Sequence, residues 1–135
     1  MTDLQALVDE LLPVARAASE RAWSPFSGVQ VGAVVRGPDG AHYAGCNVES
    51  ASYGLTQCAE RNALAAAVAA GAAVGKMDRM LIFAKGFDHI SPCGACRQVI
   101  SELMSEFAVI IACSDEHPPR AWTVGELFPE PFRLT

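Results

Sequence analysis

The sequence has little charge. Only 19% of its 135 residues are Asp, Glu, Lys or Arg, and ten basic residues face fifteen acidic ones, for a formal net charge of -5. So few cations are a poor endowment for gripping a phosphate backbone, and no nucleic-acid polymer is expected as a partner. Long apolar runs are also missing. The longest, Ala63–Gly75, has 13 residues, too few to span a bilayer as a helix, so no membrane partner is expected. The opening MTDLQALVDELL lacks a basic segment followed by an apolar one. A signal peptide is therefore not expected, and the reducing cytoplasm is the expected compartment. Repeats, low-complexity stretches and composition shifts are absent, so residues 1–135 read as a single domain. An even cysteine count is absent too: there are five, which argues against a disulfide framework.

What is present is apolar. Hydrophobic residues make up 51%, and mean hydropathy is +0.23, which excludes a disordered chain. For the mass of 14.3 kDa, the folded surface should be roughly 6,800 Å² against about 20,700 Å² extended. That leaves room for a real core without staples. The composition is rich for so small a protein, and part of its apolar surface is expected to close against another subunit.

Residues 3–20 read as an amphipathic helix, with Leu4, Leu7, Val8, Leu11, Leu12 and Ala15 at helical spacing. Asp3 or Thr2 caps it, and Pro13 implies a kink or a late first turn. The Trp23–Gly28 link carries Trp23 and Phe26, an aromatic pair expected to serve packing more often than ligand contact. Val29–Val35 alternates as a strand, Gly37-Pro38-Asp39-Gly40 turns, and Ala41–Gly45 returns as a hairpin. Cys46–Thr56 reads as a long irregular loop, the kind that often carries function. Gln57–Ala73 is an alanine-rich helix expected to lie centrally, buried by the sheet on one side and by other helices or subunits on the other. Met80–Ala84 is a strand, Gly94–Leu103 a helix and Ala108–Cys113 a strand covered on both faces. Ala121–Val124 is a last strand, antiparallel to its predecessor because seven residues cannot hold a crossover helix. Glu126–Phe132 is an apolar tail that needs a surface to dock on. The order describes an α/β fold: one mixed sheet with helices on its faces.

The chemistry concentrates in Cys58-Ala59-Glu60 and Pro92-Cys93-Gly94-Ala95-Cys96. Two cysteines two residues apart can present both sulfurs to one ion. Cys58 adds a third at another helix start, where N–H groups favour thiolate over thiol. Three thiolates and an open position describe catalytic zinc. A redox dithiol and ordinary buried cysteines remain alternatives, as does a closed structural zinc site with Cys46, Cys113 or His89 as fourth ligand. Glu60, in the first turn, would ordinarily be a solvated capping residue. Beside a metal held by Cys58 it is one water's reach from the open position, where it can accept and return a proton. Zinc deaminases of nucleobases carry the signature H-x-E…P-C-x-x-C, with the glutamate as proton shuttle; this chain has C-x-E…P-C-x-x-C. Three thiolates on one Zn²⁺ leave net charge -1, which a positive group should answer. Arg61 is the candidate, against the alternative of a solvated surface arginine.

Taken together, Ser24-Pro25-Phe26-Ser27, Val31-Gly32-Ala33, Gly45-Cys46-Asn47-Val48-Glu49, Ala51-Ser52-Tyr53-Gly54-Leu55-Thr56, Cys58-Ala59-Glu60-Arg61, Pro92-Cys93-Gly94-Ala95-Cys96-Arg97-Gln98 and Glu126-Leu127 run nearly end to end. The chain resembles the small homo-oligomeric cytidine deaminases of pyrimidine salvage, of the three-cysteine type. The resemblance implies a three-layer fold with a mixed five-stranded sheet and helices on both faces. It implies one zinc ion per subunit on Cys58, Cys93 and Cys96, with Glu60 shuttling protons. Phe26 would pack on the pyrimidine, Asn47 and Glu49 would hold the ribose 3′-hydroxyl, and the Ala59 N–H would meet the ring carbonyl. Backbone carbonyls at Ser91 and nearby would orient the 4-amino group. A homotetramer is implied, with Tyr53 and Phe132 as candidates to complete a neighbour's pocket. Trp23, Val29, Ser50 and the Lys85–Ile90 loop depart from the family pattern and bear on the pocket's outer shape. A same-fold deaminase of a modified cytidine or nucleoside antibiotic, and a non-catalytic zinc-stabilised protein, are the competing readings. His42, His89 and His117 are expected at the surface or in loops, and Cys46 and Cys113 as inert core thiols.

Overall fold

Apolar alternation in the central strands sorts side chains to two opposite faces, and helices cover both. The computed structural model describes residues 3–87 and 90–135. Helix α1 (Leu4–Ser19) precedes the hairpin β1 (Val31–Arg36) and β2 (His42–Cys46). A short 3-10 turn at Tyr53–Leu55 leads to α2 (Ala59–Ala69) and β3 (Met77–Ala84). Then come α3 (Gly94–Leu103), β4 (Met104–Cys113), β5 (Arg120–Thr123) and α4 (Val124–Leu127). The five strands form one sheet in the order β2-β1-β3-β4-β5. Only β3 and β4 are parallel, with α3 in the connection between them; the other pairs are antiparallel.

Val34, Leu81, Phe83, Ile111 and Cys113 point to Leu7, Val8, Leu11 and Ala15 of α1. Their neighbours Ala33, Val35, Met80, Ile82 and Ile110 point to the other side, against Ala63, Leu64 and Ala67 of α2, Ile100 of α3, and Val124 and Leu127 of α4. The result is the expected three-layer α/β fold. Fully burying one such aliphatic side chain contributes about 1.5–3 kcal/mol, and this burial is the main force holding the layers together. Two glycines let helices lie directly on strand backbone. A Cβ on Gly32 would come within 1.9 Å of the Ala15 carbonyl oxygen in α1, and one on Gly45 within 2.4 Å of the Ala63 nitrogen in α2.

Several boundaries differ from expectation. Asp3 caps α1 through hydrogen bonds from the Gln5 and Ala6 N–H groups. The helix begins at Leu4 and continues through Pro13, so its start is not late; the alternative cap, Thr2, lies outside the described residues. Strand β1 starts at Val31 because the Asn47 side chain engages the backbone of Val29 and Val31. Helix α2 is shorter than expected. Its sheet side is buried, while Ala65, Ala66, Val68 and Ala69 are exposed in the single chain, so no other helix of the chain covers that face. The supposed loop is partly ordered by bridges from Val48 to Trp23 and to Gln57. Strand β3 begins earlier, at Met77, and β4 follows α3 directly. The start of the apolar tail is α4, closed by a capping box of Thr123 and Glu126.

Candidate active site

Cys58 is the N-cap of α2, Cys93 is the N-cap of α3, and Cys96 lies in the first turn of α3. The positive ends of two helices therefore converge on three sulfurs. All three Sγ atoms lie within 4.8 Å of one another, with Cys58 and Cys93 3.9 Å apart. Zinc–sulfur bonds near 2.3 Å in tetrahedral geometry set sulfurs about 3.8 Å apart, so the donor set fits that ion. Among the described residues no fourth His, Cys, Asp or Glu joins the cluster. Cys113 is packed on the α1 side of the sheet, and burial pushes its thiol up to about 11. Cys46 is half-buried at the end of β2, so it is not the core thiol expected. His89 lies outside the described residues.

Arg61 Nη2 donates to Cys58 Sγ at 3.4 Å, and its buried Nε has no acceptor among the described residues. This is a donor aimed at an anionic cluster and not a solvated surface arginine. The Cys58 thiol is drawn down to about 5, first by the hydrogen bond it accepts from Cys96, then by Arg61 and Cys93. Cys96 is held far above its ordinary value because it keeps the shared proton. The thiolate form is thus favoured at Cys58, with Cys96 holding the proton between them.

Glu60 is 5% exposed. Burial, reinforced by the Cys58 charge, pushes its carboxyl up to about 7, against a hydrogen bond with its own backbone and one with Cys96. A carboxyl titrating near neutrality can both take and return a proton. Ala59, also buried, occupies the first position of α2, where the N–H has no carbonyl partner within the helix.

The neighbouring wall is knit by short backbone bonds. Trp23 N donates to the Asn47 carbonyl at 3.0 Å and Glu49 N to the Trp23 carbonyl at 2.8 Å. Val48 and Gln57 exchange both their N–H groups at 2.9 Å, which delivers this wall to the foot of α2. Phe26, Ser27, Glu49, Ser50, Tyr53 and Thr56 line a groove of about 360 Å³. A larger concavity of about 560 Å³ between α1 and β2 is lined by Cys46 and by none of the clustered cysteines; the smaller groove is the one tied to the foot of α2, through the Val48–Gln57 pair. Phe26 is half exposed and Trp23 is 62% exposed, so the aromatic pair does not serve packing within the chain. The Phe26 ring meets Tyr53 edge-on at 6.3 Å.

Asn47 Oδ1 accepts from Val31 N at 2.9 Å, and Nδ2 donates to the Val29 carbonyl at 2.8 Å, leaving one amide hydrogen over. Glu49 accepts from the N–H groups of Phe26 and Ser27 and from the Ser27 hydroxyl, which hold its carboxyl below the usual range. Ser27 was not singled out by spacing, because its partner lies 22 residues away. Ser50 stays local, receiving the Ser52 N–H and giving its own N–H to Thr56. Phe132 and Tyr53 are 66% and 77% exposed, and the Phe132 carbonyl is tied to Gln98. Exposed His42 pairs with Glu10, and exposed His117 has its Nδ1 3.0 Å from the Glu116 carbonyl; neither lines the groove.

Three cysteine sulfurs spaced for one tetrahedral ion beside a buried carboxyl, carried on a three-layer α/β fold, are the arrangement of a metal-dependent hydrolytic enzyme. Residues 6–113 match the family model for the cytidine and deoxycytidylate deaminase zinc-binding region. A cytidine deaminase of Sporosarcina psychrophila is 36% identical over 93% of this chain and 90% of its own. One of Halalkalibacterium halodurans is 38% identical over 96% and 94%. The crystal structure of a cytidine deaminase from Burkholderia pseudomallei superposes with a TM-score of 0.86 at 39% identity, covering 97% of this chain and all of that one. The chain belongs to the zinc-dependent cytidine and deoxycytidylate deaminase family.

Proposed function

We propose that the protein hydrolyses cytidine and 2′-deoxycytidine to uridine and 2′-deoxyuridine with release of ammonia. The observation that carries this is Glu60: a carboxyl nearly excluded from solvent, two residues from Cys58 on the first turn of α2, beside a cluster of three thiols with no fourth ligand among the described residues. Cys58, Cys93 and Cys96 hold the zinc, which when bound lowers the pKa of a water and raises its nucleophilicity. Arg61 offsets the excess negative charge of the thiolates.

Glu60 takes a proton from the attacking water and gives it to N3 of the ring, which makes C4 more electrophilic. The water oxygen bonds to C4. Glu60 then passes the second proton to the exocyclic nitrogen, the C4–N bond breaks, and ammonia leaves. The same carboxyl acts as base and acid, so no other acid–base group is required. The Ala59 N–H meets the ring carbonyl, Ser91 accepts from the 4-amino group, and Phe26 packs on the ring. Asn47 and Glu49 receive the ribose 3′-hydroxyl. That hydroxyl is esterified inside a strand, and the Glu49 charge repels a 3′-phosphate, so internal positions of a polynucleotide are excluded.

The chain acts in the cytoplasm, in pyrimidine salvage, as a homotetramer. No helix among the described residues is long and apolar enough to cross a membrane. The exposed alanine face of α2, Tyr53 and Phe132 supply apolar surface for association. The chain exposes 7358 Å² against roughly 6,800 Å² expected for its mass. The test is ammonia release from cytidine and deoxycytidine with metal analysis of the same sample. About one zinc per chain and turnover on both is expected; a zinc-loaded protein inert to both overturns the reading.

A further inference from the structure

Three consecutive carbonyls lead into α3, at Ile90, Ser91 and Pro92, and two arginines hold the outer ones. Arg97, directly after Cys96, donates from Nε to the Pro92 carbonyl at 2.8 Å. Its Nη1 donates to the Leu127 carbonyl at 2.8 Å and its Nη2 to the Ser91 hydroxyl at 3.4 Å. Arg120, which opens β5, donates from Nη2 to the Ile90 carbonyl at 2.8 Å and stacks 5.0 Å over the Trp122 ring. Among the described residues, the middle carbonyl, that of Ser91, accepts no hydrogen bond from the protein.

Peptide units are planar, and proline fixes its own φ. With the planes on either side pinned, the Ser91–Pro92 plane has little freedom to rotate. That plane has no N–H, because Pro92 lacks one, so it offers an acceptor and no donor. We propose that Arg97 and Arg120 are positioning residues that hold the Ser91 carbonyl ready for an N–H-bearing leaving group, and so favour the amine substrate over the oxo product. Cytidine has N–H donors at position 4, whereas uridine in its keto form has an oxygen whose lone pairs oppose the Ser91 carbonyl. This rests on the pyrimidine reading above.

The test compares leaving groups. Cytidine and its 4-methoxy analogue (an oxygen at position 4 that carries no hydrogen) both yield uridine, releasing ammonia or methanol. Arg97→Ala and Arg120→Gln should lower kcat/KM for cytidine by about 10-fold more than for the methoxy analogue, the scale of one hydrogen bond left poorly made. Zinc content should match wild type, and uridine should inhibit the variants relatively more strongly. Arg97→Lys, which keeps the charge and loses the fork, should fall between wild type and Arg97→Ala. If Arg97→Ala does not fold, Arg97→Lys and Arg120→Gln carry the same comparison. Equal losses on both substrates, or no loss on either, overturn the proposal by leaving the arginines a purely structural role. Wild-type protein inert to both substrates would instead sink the deaminase reading, and the clamp with it.

Discussion

Gly45→Ala should damage the active site without touching an active-site side chain. The added Cβ would sit 2.4 Å from the Ala63 nitrogen and 2.8 Å from the Ala59 carbonyl oxygen. Ordinary contact is about 3.5 Å, so the start of α2 must retreat by roughly 1 Å. The obstacle is helix backbone, which cannot rotate away like a side chain. Overpacking of this kind costs about 1–3 kcal/mol, and a domain of this size loses about 4 °C of Tm per kcal/mol. Cys58 and Glu60 ride on the displaced turn, while Cys93 and Cys96 sit on α3. A misplacement near 1 Å lowers turnover about 100-fold. The assays are thermal unfolding, competition with a zinc chelator and ammonia release. Gly125→Ala is the control, since its Cβ would meet nothing nearer than 4.0 Å. A Gly45→Ala protein with wild-type Tm, zinc retention and kcat would refute the reasoning.

Glu60→Gln should keep its zinc and lose about 10²–10⁴-fold in kcat, because an amide cannot carry protons; near-normal turnover in ammonia release would remove Glu60 from the mechanism. Asn47→Ala should impair nucleosides far more than free cytosine. It should also lower stability by about 1–3 kcal/mol in denaturant unfolding, since its buried amide holds Val29 and Val31. Ser27→Ala should release Glu49, whose carboxyl the Ser27 hydroxyl holds below the ordinary range. A depressed carboxyl keeps its charge above that range and loses it as pH falls through the lowered value. The variant should therefore lose nucleoside affinity at higher pH than wild type does, read from KM against pH.

The three-cysteine cluster was legible because its signals are local. Cys93 and Cys96 share one helical turn, and Cys58 and Glu60 share another. The direction of the last strand was legible for a similar reason, since a link too short for a crossover helix dictates an antiparallel return. The start of β3 was hidden by Asp78 and Arg79, which interrupt the apolar run. In the fold Asp78 finds Arg36 across the strand pair at 3.5 Å, so the charges are tolerated there. Val29 and Gln30 continue an alternating pattern, yet a side chain 16 residues on, Asn47, claims the Val31 N–H. Ser27 with Glu49 and Arg97 with Leu127 were illegible because such pairs form only when separate elements meet.

Helix α3 also anchors the carboxyl end of the chain, through Arg97 to Leu127 and Gln98 to Phe132. Cropping the chain back past Phe132 would therefore remove a tie to the helix that carries two of the three sulfurs. An affinity handle is better attached at the amino end, because α1 lies across the sheet from the helices that carry the clustered cysteines.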